Sequence, residues 1–128
     1  MIVVDTSAIF AVLYDEEQGP ACAAALAANT RLLISAGTLA EAYVAAARSG
    51  FTTALESFLS RVTLEVVPVD AEAAAAIGRG YARYGKGLHA ASLNFGDGFA
   101  YALARERNCP LLFIGNDFSL TDVARALQ

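Results

Sequence analysis

The sequence predicts an α/β fold built on a mainly parallel sheet, and three observations predict it. Apolar runs of strand length recur four times, and the first, Ile2-Val3-Val4, is wholly β-branched. Longer stretches with helical patterning fill each gap between them. The runs carry little apolar–polar alternation, as expected of strands covered on both faces. Parallel neighbours need crossover connections, so this order implies helices on both sides of the sheet. At 128 residues the chain reads as one domain, residues 1–128, long enough to bury a sizeable core.

Ile2-Val3-Val4 forms the first strand, and Asp5 ends it. Thr6 or Ser7 is placed to cap a helix reaching about Tyr14. Asp15-Glu16-Glu17 reads as a solvated turn, and Pro20 opens a second helix running to about Ala28. Leu32-Leu33-Ile34 is the second strand. Ser35 caps a helix over about Gly37 to Arg48, punctuated by Gly50, and an amphipathic helix follows over about Thr52 to Arg61. Leu64-Glu65-Val66-Val67 is the third strand, stopped by Pro68. A helix then spans about Ala71 to Tyr84, and Gly85 to His89 is a loop. Helix resumes near Phe95 and runs to about Arg107. Leu111 to Ile114 is the fourth strand, and a short closing helix is expected from about Leu120.

Composition excludes several classes. With 56% hydrophobic and 17% charged residues the chain can pay for a packed core, which excludes intrinsic disorder. Nine basic against 13 acidic side chains give a net charge of -4, which excludes a broadly cationic nucleic-acid binder but leaves room for a local basic strip. Cys22 and Cys109 make neither a disulfide framework nor a zinc site, and point to a reducing compartment. Met1 to Asp5 has no basic region of the kind that opens a signal peptide. The apolar window from Gly19 to Ala40 is interrupted by Pro20, Asn29, Thr30, Arg31 and Gly37, whereas a membrane span needs ~20 mostly apolar residues. The expectation is a cytoplasmic protein with no membrane contact.

In an open α/β sheet, ligands bind beyond the carboxyl ends of the strands. Asp5 follows the first strand directly, and Asp117 follows the fourth by three residues. Glu41 lies in the first two turns of the helix after the second strand, and Asp97 opens the helix leading to the fourth. Each has an ordinary reading by itself: Asp5 and Asp97 as helix caps, Glu41 as a helix-surface residue, Asp117 as a turn former. Together on one edge they form an acidic cluster whose members raise one another's pKa. A hard divalent cation relieves that repulsion, and an all-oxygen donor set without His or Cys favours Mg²⁺ or Mn²⁺ over zinc. Such a metal activates water and neutralises phosphoryl charge, which suits phosphodiester cleavage. The densest basic stretch, Arg79, Arg83, Lys86 and His89, leads towards Asp97 and offers phosphate contacts, with Tyr81 and Tyr84 placed to stack on unpaired bases.

The segments Met1 to Ala8, Ile34 to Glu41, Tyr84 to Ala104 and Pro110 to Asp122 resemble, in order and spacing, a PIN-domain ribonuclease of the VapC type, the toxin of a type II toxin–antitoxin module. The resemblance implies a three-layer α/β/α sandwich with a central mainly parallel sheet of four or five strands. It places the family's acidic quartet on Asp5, Glu41, Asp97 and Asp117. It implies Mg²⁺-dependent endonucleolytic cleavage of RNA, with Mn²⁺ as a substitute, a homodimer and a protein antitoxin. On that basis Asp5 and Asp97 would hold the principal metal, Glu41 and Asp117 would act through water or a second ion, and Thr6 and Asn116 would orient the carboxylates. The sequence departs from the family pattern at Leu88 and Ala90, where a basic residue and a proline often flank the histidine. Two rival readings remain. One is a phosphoacceptor signalling module, which would show adjacent acids after the first strand, an acceptor Asp after the third and a Lys after the last. The other is a catalytically silent binding protein on the same fold.

Overall fold

A computed structural model describes residues 1–127. Its strands are β1 (Ile2–Val4), β2 (Leu32–Ser35), β3 (Glu65–Val67) and β4 (Leu111–Leu112). Its helices are α1 (Thr6–Leu13), α2 (Gly19–Ala28), α3 (Ala36–Ser49), α4 (Thr52–Arg61), α5 (Ala71–Tyr84) and α6 (Phe95–Arg107). The strands lie in the order β3-β2-β1-β4, and every pairing is parallel. The register aligns Val4 with Leu112 and Ser35 with Val67, so the segments that follow these strands leave from one edge.

The pleat divides the core in two. Ile2, Val4, Leu32, Ile34 and Leu112 point to one face, where they meet Ala8 and Ile9 of α1, Cys22 and Leu26 of α2, Ala42 and Ala46 of α3, and Leu55 and Phe58 of α4. Val3, Leu33, Leu111 and Phe113 point to the other face and meet Tyr84 of α5 and Ala100, Tyr101, Leu103 and Ala104 of α6. Both faces of each central strand are therefore dry. That is why those strands read as continuous apolar runs, and the result is the expected three-layer sandwich.

The helix starts follow from local chemistry. Asp5, rather than Thr6 or Ser7, caps α1, because its backbone is still extended and its carboxylate accepts from the Ser7 amide. Ser35 caps α3 as expected, accepting from the Gly37 amide, and Gly50 closes that helix in the left-handed conformation at φ +76°. Asp70 caps α5.

The expected closing helix from Leu120 does not form. Residues 117–120 make a turn, and the chain beyond runs alongside β4, where Leu111 and Arg125 form a parallel bridge. The Leu111 amide donates to Ala124 O, and the Ala126 amide donates to Leu111 O, both at 2.9 Å. Satisfying the open edge of β4 outweighed a few residues of marginal helix. Leu120 itself is exposed. Tyr84 is buried, so the expectation that it stacks on bases is corrected.

Candidate active site

The strand ends bring the acidic side chains to one edge, each by a different device. Asp5 leaves β1 and is buried, at 4% exposure. Its Oδ2 accepts from the Ser7 hydroxyl at 2.6 Å and from the Ser7 amide at 3.1 Å. The same hydroxyl accepts from the Ile114 amide at 3.1 Å, which ties the end of β1 to the segment after β4. Glu41, in the second turn of α3, accepts from the Thr6 hydroxyl at 3.0 Å on Oε1. Asp97, in the first turn of α6, completes a capping box. Its amide donates to the Asn94 side chain at 2.8 Å, and its Oδ2 accepts from the Asn94 amide at 3.0 Å.

The electrostatics show that these groups sense one another. Burial pushes the Asp97 carboxyl up to about 6, the Asn94 hydrogen bond opposes this, and the charges of Asp117, Asp5 and Glu41 push further upward. Asp5 is also raised, chiefly by burial, against the pull of Ser7 and with Glu41 adding to the rise. No arginine or lysine forms an ion pair with any of the four among the described residues.

The hydrogen bonds of Asp5, Glu41 and Asp97 each fall on a single oxygen. The second oxygens of Asp5 and Asp97 are not sealed away. Among the described residues, the one buried side-chain oxygen or nitrogen without a partner is Thr38 Oγ1. The second oxygens of Asp5 and Asp97 are therefore neither paired nor completely buried. As placed, no three acidic, His or Cys side chains among the described residues form a group that could hold a metal ion. Asp117 and Asn116 lie on an exposed turn. The Asn116 side chain makes no hydrogen bond to the carboxylates, so Thr6 is the orienting residue of the expected pair that the structure places in contact.

The model of the PIN domain matches residues 2–124. The chain belongs to the PIN-domain family. A Ribonuclease VapC of Mycolicibacterium smegmatis is 44% identical over 126 residues, covering 96% of this chain and 98% of that protein. Ribonuclease VapC30 of Mycobacterium tuberculosis is 43% identical over 126 residues, covering 96% of each. The crystal structure of Mycobacterium tuberculosis VapC20, described as a toxin cleaving the sarcin–ricin loop, matches with a TM-score of 0.80 over 100% of both chains at 17% identity. A toxin–antitoxin complex from Klebsiella pneumoniae matches with a TM-score of 0.73 at 18% identity, over 100% of this chain and 99% of that one. At those identities the two structures establish the shared fold.

In this PIN domain the expected basic strip splits. Arg79 and Arg83 line a cleft of about 610 Å³ between α5 and α6, together with Arg105 and Arg107. Arg83 and Arg105 are drawn to Asp122, at 3.3 and 3.5 Å. Lys86 lines a different groove, beside Phe95. His89 is exposed, and its Nδ1 accepts from the Ala91 amide at 2.9 Å, while its ring stands edge-on to Tyr84. It serves the loop.

Two site residues were not foreseen from sequence in this role. Ser7 fixes Asp5, and its position two residues after a strand-end Asp was the available signal. Gly96 lies against Glu41, where a Cβ would collide with Oε2. Nothing local in the sequence marks that contact.

Proposed function

We propose that this PIN domain is a metal-dependent endoribonuclease and the toxin of a toxin–antitoxin pair. The observation that carries this reading is the convergence of Asp5, Glu41, Asp97 and Asp117 on one sheet edge without a cationic partner, with a free oxygen on both buried carboxylates. Relatives at 43–44% identity over nearly the whole chain are named ribonucleases, and one solved neighbour is described as an RNA-loop-cleaving toxin. The Klebsiella neighbour is a toxin–antitoxin complex, which supports a protein antitoxin as partner. A homodimer belongs to the same proposal. No helix of the described residues is long and apolar enough to cross a membrane.

When bound, Mg²⁺, or Mn²⁺ in its place, supplies positive charge against the phosphate and activates water for attack. Asp5 and Asp97 would hold it through their free oxygens. Glu41 and Asp117 would accept hydrogen bonds from water and set its direction. Ser7 and Thr6 keep Asp5 and Glu41 from rotating, so the edge does not have to reorganise when RNA arrives. The expected products are a 5′-phosphate and a 3′-hydroxyl. The phosphoacceptor reading is disfavoured, because the one Asp after β3, Asp70, is occupied as the cap of α5.

The test is cleavage of total RNA with site mapping. The wild type cuts with Mg²⁺ or Mn²⁺ and stops in excess EDTA, and Asp5→Ala folds but does not cut. Undiminished cutting in EDTA, or by Asp5→Ala, would defeat the proposal. RNA binding without cleavage would instead favour the silent scaffold.

A further inference from the structure

Asp5, Glu41 and Asp97 are each held by a hydrogen bond to the carboxylate itself. Among the described residues the Asp117 carboxylate accepts none, and it stands on an exposed turn. Yet of the three neighbouring charges that raise Asp97, that of Asp117 contributes most. Something other than a direct contact keeps Asp117 beside Asp97.

The chain on either side of the turn supplies it. Upstream, the Ile114 amide donates to the Ser7 hydroxyl at 3.1 Å. Within the turn, Phe118 is buried with its ring 5.0 Å from that of Phe113. The Ser119 amide donates to Asn116 O and the Thr121 amide to Phe118 O, both at 3.1 Å. Downstream, Asp122 Oδ1 accepts from the Tyr101 hydroxyl at 2.7 Å. Tyr101 is buried, and the Tyr84 ring stands edge-on to it with centroids 5.7 Å apart, so the donor cannot follow a drifting acceptor.

Tyr101 comes four residues after Asp97 in α6, so the two side chains leave one face of the helix a turn apart. Asp122 comes five residues after Asp117. The hydrogen bond therefore fastens the far end of the Asp117 turn to the helix face that carries Asp97. Arg83 and Arg105 reach the other oxygen of Asp122 at 3.3 and 3.5 Å, but both are exposed, and such pairs hold little.

We propose that Tyr101 and Asp122 are positioning residues whose hydrogen bond fixes Asp117 relative to Asp97 at the acidic edge. Both act through Asp117. The proposal rests on the ribonuclease reading.

The test pairs amide hydrogen exchange of the metal-free protein with steady-state cleavage of an RNA whose cut is mapped. In Tyr101→Phe and Asp122→Ala the Ser119 and Thr121 amides exchange at least about tenfold faster, while the Val3 amide, which donates to Pro110 O in the sheet, is unchanged. The same variants lose about tenfold to a hundredfold in kcat, with KM for the RNA little changed. Asp122→Asn keeps an acceptor for the phenol and retains most of the wild-type kcat. Asp117→Asn lowers kcat by itself, and adding Tyr101→Phe to it lowers kcat no further. Unchanged exchange at Ser119 and Thr121, or a wild-type kcat, in folded Tyr101→Phe and Asp122→Ala would overturn the proposal. So would losses that multiply in the Tyr101→Phe and Asp117→Asn pair, since the bond would then act elsewhere than on Asp117. A wild type that does not cleave with Mg²⁺ overturns the ribonuclease reading itself, and the exchange rates still decide whether the bond holds the turn.

Discussion

Asp97 serves two roles that conflict. As the third residue of α6 it completes a capping box, and as a carboxylate it sits buried among three others. Its carboxyl is raised from the ordinary 3.8 to about 6. A raised folded value means that the protonated state favours folding. The associated stability is complete below about pH 4 and is lost as pH rises through about 6. A shift of this size is worth at most about 3 kcal/mol. The metal-free Asp97→Asn variant is therefore more stable than wild type at pH 7.5, by about 1–3 kcal/mol, and the difference vanishes near pH 4. Urea unfolding at both pH values measures it, and equal stability at pH 7.5 would show that the carboxylates are not crowded. Thr38 offers an independent check, because its hydroxyl is buried without a partner. Thr38→Val removes that desolvation cost and should stabilise the protein by about 1 kcal/mol in the same assay.

The N-terminus of α6 and the segment after β4 carry most of what is specific to this chain. Gly96→Ala would ordinarily be neutral or mildly favourable in a helix. Here the added Cβ displaces the Glu41 carboxylate. The expected result is at least a tenfold loss of RNA cleavage with the melting temperature almost unchanged, read by pairing a cleavage assay with thermal unfolding. Asp122 accepts from the Tyr101 hydroxyl at 2.7 Å and draws in Arg83 and Arg105. The arginines are largely exposed and contribute little, whereas the partly buried tyrosine bond is worth about 1–3 kcal/mol. Burial first, and Asp122 second, push the Tyr101 phenol up to about 12. Asp122→Asn should bring that phenol part of the way back towards 10 in an ultraviolet titration. These elements were unevenly legible. Ile2-Val3-Val4 and Leu32-Leu33-Ile34 declared themselves, because strands buried on both faces cannot hide polar residues. Ser35 declared α3 by its side-chain chemistry. The segment 121–127 misled, because Val123, Ala126 and Leu127 carry a helical spacing, while the vacant edge of β4 is a feature of the assembled sheet.

At the scale of the molecule, a parallel sheet brings distant residues to a shared edge without any local signal between them. Strand ends and helix starts suffice to nominate Asp5, Glu41, Asp97 and Asp117 as neighbours, and Asp97 does sense the other three charges, while Gly96 against Glu41 and the division of Arg79 and Arg83 from Lys86 required packing in three dimensions. The central claim is that this edge holds a divalent cation and is strained without one. A ligand bound only by the folded state stabilises it, by about 2.7 kcal/mol at a hundredfold excess over Kd. The decisive measurement is calorimetric titration of Mn²⁺ or Mg²⁺ into wild type, Asp5→Asn and Asp97→Asn at pH 7.5. Saturable binding by the wild type that is abolished or weakened at least tenfold in both variants is the predicted result. Binding of equal strength in all three proteins, or none in the wild type, contradicts it.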